Sequence, residues 1–226
     1  MLRKFIFPII VIPLLSSCIE LIDDITLHND GSGTFKYSIN LSSSRLKVNS
    51  ILALDSLDGK KVPSMGEIKN KISAFTTALK SQNGLSNVRS EFDEANLILK
   101  LFVDFKTVGQ LEQGIKNSII AVSKEKSSYE LNESWIAWDG KTLKRSVPLT
   151  AFKRSNEMTS SDVDLLKTGT YTSISRFDRS IDRTENVNAK LNPSKLACML
   201  KVNTFDLRNN NKLIENSITL IPFKNK

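Results

Sequence analysis

Histidine and cysteine are almost missing from these 226 residues: His28 stands alone, and Cys18 and Cys198 are the only thiols. One imidazole and two distant thiols make neither a zinc site nor a disulfide scaffold, so both drop out. G-x-S-x-G, a glycine-rich loop ending in Lys-Ser or Lys-Thr, C-x-x-C and H-E-x-x-H are absent as well. Gly31-Ser32-Gly33 is glycine-rich, but it joins two strand patterns rather than opening a helix, so it reads as a turn and not as a phosphate cradle. No internal repeat of fixed period is found. What remains names no catalytic residue, no metal site and no cofactor, and it favours a protein that is not an enzyme.

One long apolar stretch is present, and it comes first. Phe5 to Leu15 follows the basic pair Arg3-Lys4 and ends at Leu15-Ser16-Ser17-Cys18. A mature spanning helix needs about 20 apolar residues, and Pro8 and Pro13 interrupt this shorter run, which weakens the competing reading as an uncleaved anchor. A basic start, a short apolar core and small residues before a cysteine form a lipoprotein-type export signal. Residues 1–17 are therefore expected to be cleaved as a signal peptide, with Cys18 carrying lipid and residues 18–226 forming one lipid-anchored domain. Each buried methylene of an acyl chain contributes about 0.8 kcal/mol, so two or more chains hold a protein stably on a membrane. Ile19 rather than an aspartate follows Cys18, as in outer-membrane lipoproteins, and no acidic run comes directly after it. The expected location is the cell envelope, at the periplasmic face of the outer membrane. Cys198, in Leu196-Ala197-Cys198-Met199-Leu200, then has no intramolecular partner and reads as a small buried hydrophobe.

The formal charge of +8 is unevenly placed. Residues 18–140 hold slightly more Asp and Glu than Lys and Arg, whereas residues 141–226 hold twice as many Lys and Arg as Asp and Glu. Export removes nucleic acid as a partner for that basic third. The acidic partners left are anionic lipid headgroups and envelope polysaccharide, each nearby Lys or Arg contributing up to about 1 kcal/mol at an anionic surface. A solvated basic face that binds nothing is the plain alternative.

After Cys18 the chain alternates. Ile19 to Leu27 and Thr34 to Leu41 read as strands joined at His28-Asn29-Asp30-Gly31-Ser32-Gly33, which supplies the positive-φ residues of a tight connection. No Ser- or Gly-rich linker separates this hairpin from Cys18, so the domain is expected close to the headgroups. A short helix follows over Ser44 to Leu54. Ser64-Met65-Gly66-Glu67 is a capping box, and Ile68, Ile72, Phe75, Ala78 and Leu79 form the stripe of a helix that stops at Asn83-Gly84. Leu85 to Phe105 is strand, turn at Glu94-Ala95-Asn96, and a strand apolar on both faces, as in the middle of a sheet. Thr107 opens a second amphipathic helix carrying Leu111, Ile115, Ile119 and Val122. Tyr129 to Trp138 and Lys141 to Val147 read as a hairpin around Asp139-Gly140. Residues 149–169 are irregular, with a short helix over Ser160 to Lys167. Three extended runs close the chain: Gly169 to Asp178, Leu196 to Leu207 and Ile214 to Phe223. The rhythm predicts an α+β fold, a largely antiparallel sheet of about eight strands with two main amphipathic helices packed on a face.

A strand directly behind the lipidation cysteine, then Asn29-Asp30-Gly31-Ser32-Gly33 and an alternating strand, resembles the opening of LppM-like lipoproteins and of related Gram-negative envelope lipoproteins. Trp138-Asp139-Gly140-Lys141-Thr142-Leu143-Lys144-Arg145 and Tyr171-Thr172-Ser173-Ile174-Ser175-Arg176-Phe177 are similar too, so that about a quarter of the chain is covered. Where such relatives continue Phe-Pro, this chain has Phe177-Asp178. The resemblance implies a membrane-tethered α+β domain that binds lipid or envelope components, with no catalytic motif to carry over.

Carboxylates are the remaining route to catalysis. Asp23 and Asp24 fall on opposite faces of the first strand, a poor geometry for a cooperating pair. Asp55 and Asp58 suit a turn, and Asp162 and Asp164 suit a helix start. A distant acid pair of glycosidase type stays open as the hydrolase alternative. The candidate anion site is Arg176, Arg179 and Arg183, with Arg145 near them, since guanidinium binds phosphate or carboxylate in a fork. Asp178 and Asp182 are interleaved with these arginines, so a salt-bridge network is the competing reading. Trp135 and Trp138, three apart on one strand, are expected to point to opposite faces, one into the core and one outward. The functional expectation is a non-catalytic binding or scaffolding module near the membrane, meeting lipid, polysaccharide or a protein partner. A hydrolase or an assembly subunit are the alternatives.

Overall fold

The structure is a computed structural model that describes residues 19–123, 133–146 and 166–222. The expected signal peptide, Cys18, all but the last two residues of the Ser160 to Lys167 helix and the first part of the Tyr129 to Trp138 strand lie outside the described residues. The fold is α+β. Strand β1 (Glu20–Leu27) turns into β2 (Gly33–Asn40), and a 3₁₀ turn leads into the short helix α1 (Arg45–Leu52). A small hairpin, β3 (Ser56–Leu57) and β4 (Lys60–Lys61), precedes α2 (Met65–Lys80), β5 (Leu85–Asp93), β6 (Ile98–Phe105) and α3 (Val108–Val122). The remainder is β7 (Ile136–Trp138), β8 (Thr142–Arg145), β9 (Thr170–Phe177), β10 (Ile181–Thr184), β11 (Lys190–Leu191), β12 (Ala197–Asn203), α4 (Thr204–Asn209) and β13 (Asn216–Leu220).

Local signals explain most of these boundaries. Gly31 takes φ +86° in the first turn, where His28 N donates to Ser32 O at 2.8 Å. Gly33 has no room for a side chain, because a Cβ there would lie 2.0 Å from Thr26 O. Helix α2 opens with a complete capping box: Glu67 N donates to Ser64 Oγ, and Ser64 N donates to Glu67 Oε2 at 2.8 Å. Lys61, at 2.7 Å, and the Ser64 backbone N–H together hold the Glu67 carboxyl down at about 2. Thr107 caps α3 by accepting from Gln110 N.

Seven strands form one sheet in the order β11-β12-β9-β1-β2-β6-β5, and all neighbours are antiparallel except β1 and β9. Four others make a separate sheet, β10-β13-β8-β7. The sequence had suggested one sheet of about eight strands. The second sheet splits off because its own apolar face, Ile136, Leu143, Ile181, Ile218 and Leu220, is buried in the same core as Ile25, Leu27 and Phe35 of the large sheet. It folds over that face instead of extending the edge. Helices α2 and α3 cover the rest of the face through Leu79, Phe75, Leu111 and Ile115. The run from Leu196 to Leu207 is also two elements: Asn203 ends β12 and caps α4, its Oδ1 accepting from Phe205 N and Asp206 N. Among the described residues no helix is long and apolar enough to cross a membrane.

Candidate functional site

Alternation along β1 sends Leu21, Asp23, Ile25 and Leu27 to the covered face of the large sheet. Asp23 is thus a carboxylate inside an apolar layer. Its cross-strand neighbours are Tyr37 on β2 and Ser173 on β9, with Tyr171 one step along on the same face. Ser173 Oγ donates to Asp23 Oδ1 at 2.9 Å, and the Tyr171 hydroxyl donates to Oδ2. The third donor comes from the small sheet, where Arg145 at the end of β8 places Nη2 2.8 Å from Asp23 Oδ2. Both side chains are buried, 3% exposed for Asp23 and 7% for Arg145. Burial pushes the Asp23 carboxyl above the usual range, against the pull of Arg145 and of the Ser173 hydroxyl. Burial, with a smaller push from Asp23, also raises the Tyr37 phenol to about 12.

Arg145 is positioned by what frames the end of β8. Ser146 N donates to Trp135 O at 2.9 Å, and Trp135 N donates to Glu112 Oε1 of α3 at 2.8 Å. The Trp135 ring meets Phe35 at a 5.9 Å centroid distance and lies 5.4 Å from the Arg145 guanidinium carbon. The Trp138 ring sits beside the Gly31 turn, with the Arg179 guanidinium carbon 5.9 Å from its centroid. Both indoles are half-buried and pack against the core, so neither is the freely exposed one that the spacing of three suggested. Trp135 precedes β7 rather than lying in it, so strand alternation does not govern the pair.

Between the large sheet, α2, α3 and the small sheet lies a cavity of about 690 Å³. Its walls are mostly apolar, with Phe35, Ile39, Phe75, Leu101, Ile115 and Trp135 among them, and the Asp23–Arg145 pair lines it as well. Lys71 and Ile119, both exposed, also line it and mark its open side. Such a space suits a lipid-like body better than a polar substrate, because each Å² of apolar wall covered is worth about 25 cal/mol.

The four arginines singled out from the sequence have separate partners. Arg145 is inside. Arg176 points to the opposite face of the large sheet, where Nε and Nη2 bind the Asp24 carboxylate at 3.0 and 3.1 Å. Arg179 donates to Gly140 O at 2.7 Å, and Arg183 to Asp182 at 3.3 Å. Nothing in the sequence pointed to Asp23 as the buried acid, except that alternation set it and Asp24 on opposite faces. His28 faces Asp178 at 3.1 Å on the surface. Among the described residues no group of three or more His, Cys, Asp or Glu side chains is placed to share a metal.

No protein-family model matches the sequence, and no curated protein matches it. Among solved structures, the chain is similar to the NMR structure of the folded domain of Mycobacterium tuberculosis LppM. The TM-score is 0.44 at 10% identity, over 98% of this chain and 97% of that one. At that degree of likeness nothing of activity or ligand carries over to this chain.

Proposed function

We propose that this chain is a non-catalytic binding module, held by lipid on Cys18 at the periplasmic face of the outer membrane, whose domain takes an apolar ligand into the cavity. The observation that carries the reading is the cavity itself, about 690 Å³ with mostly apolar walls, a size within the roughly 300 to 1,000 Å³ of small-molecule sites. Polysaccharide is too polar for those walls, so the ligand class is lipid-like. Anionic headgroups of the membrane remain partners for the basic C-terminal third. A hydrolase would need two converging acids, and Asp23 is the single carboxylate among the described residues lining the cavity.

Native mass spectrometry of the chain purified from a bacterial envelope tests this. A bound amphiphile is expected in the wild type and lost in Leu99→Trp, which fills the cavity from β6. A clean wild-type mass, or the same bound mass in the variant, overturns the reading. The tether is tested separately: Cys18→Ser protein that still partitions wholly with membranes would make the uncleaved segment the anchor.

A further inference from the structure

Three described residues lining the cavity carry a formal charge: Asp23, Lys71 and Arg145. Asp23 and Arg145 cancel, and the remaining charge is that of Lys71 at the open side. Arg145, moreover, is not used up by its pair. Nη2 donates to Asp23, but Nε and Nη1 are buried and have no hydrogen-bond partner among the described residues. A guanidinium carries donors on every nitrogen, and buried donors in folded proteins are nearly always satisfied. Asp23 has little left to offer, since its oxygens already accept from Arg145, Tyr171 and Ser173. Two open nitrogens, with three N–H groups between them, on a cavity-lining arginine define the chemistry of what completes it.

We propose that the cavity ligand is an anionic amphiphile bound head inward, its carboxylate or phosphate oxygens accepting from Arg145 and its chain lying along the apolar walls. This rests on the reading of the cavity as a ligand site. Arginine suits the role because it stays charged when buried and forms directed bonds to carboxylate and phosphate oxygens. The Trp135 ring beside the guanidinium supports a cation in a place with little water. Lys71, exposed at the open side, would instead hold a head that faces out.

The test uses the chain from Ile19 onward, where the described fold begins, titrated with dodecanoate, dodecyl phosphate and neutral dodecanol and followed by tryptophan fluorescence. The wild type is expected to bind at least one anion about tenfold more tightly than dodecanol, which corresponds to about 1.4 kcal/mol. Whichever anion wins identifies the carboxylate or the phosphate source. The double variant Asp23→Asn/Arg145→Met, which removes both charges together, should bind all three alike, while Lys71→Met keeps the preference. Should the double variant fail to fold, the wild-type Arg145 Nε–H resonance decides, moving with the anion and not with dodecanol. Equal wild-type affinities, a preference lost in Lys71→Met, a resonance that does not move, or displacement by inorganic phosphate alone would each overturn the head-inward site. Binding of none of the three probes would overturn the cavity reading as well.

Discussion

Asp23 and Asp24 are neighbours on one strand, and each holds an arginine, yet the two pairs are different objects. Asp24 and Arg176 face solvent, 23% and 49% exposed, while Asp23 and Arg145 face the core at 3% and 7%. The charges are the same, and the closest approaches, 3.0 and 2.8 Å, are nearly so. Water makes the difference. Outside, solvent competes and such a pair contributes roughly 0 to 1 kcal/mol. Inside, stripping each ion of water costs several kcal/mol, and the loss is recovered only if the remaining hydrogen-bonding capacity is met. Asp23 meets it through Tyr171 and Ser173, and Arg145 does not. The inner pair is therefore not expected to add stability of its own.

The comparison can be broken in several ways. Arg145→Met alone strands a buried carboxylate, so chemical denaturation should show a loss of about 3 to 5 kcal/mol. Asp23→Leu/Arg145→Met removes the pair together and should range from neutral to a gain of about 1 to 4 kcal/mol. A loss as large as that of the single variant would mean that the inner pair is a net stabiliser. The Tyr37 phenol ionises near 10 in the unfolded chain and at about 12 in the fold, so the folded state holds the extra proton between those values. Stability should then fall as pH rises from 10 to 12, by about 2 to 3 kcal/mol. Burial is the larger cause and Asp23 the smaller, so the fall should shrink somewhat in the double variant. Arg176→Met, at the outer pair, should cost less than about 1 kcal/mol, and high salt should erase even that.

Much of this arrangement was legible from local pattern. Alternation placed Asp23 and Asp24 on opposite faces, Ser64 and Thr107 marked the helix starts, and Leu97 to Phe105 read as a sheet interior. What was not legible depends on distant parts of the chain. Arg145 was grouped with Arg176, Arg179 and Arg183 by residue type, whereas its burial depends on β7, β8, β10 and β13 closing over the large sheet. No local period encodes that closure. Helix α4 did have a signal, since Asn203 with Asp206 three residues on is a good N-cap. The apolar run leading into it argued for strand and masked the cap.

The parallel ladder between β1 and β9 ties the first described strand to one that begins at Thr170. A chain made from its N-terminus cannot complete the middle of its main sheet until nearly four-fifths of it has been synthesised. Contacts of such long sequence separation close slowly, because the loop entropy must be met before the pairing is gained. The β1–β2 hairpin and the β5–β6 pair can form early, but β1 keeps an unpaired, template-ready edge until β9 arrives. Maturation of this domain is thus expected to be limited by its late-made half, and a truncation before Thr170 would leave an aggregation-prone sheet rather than a smaller version of the fold.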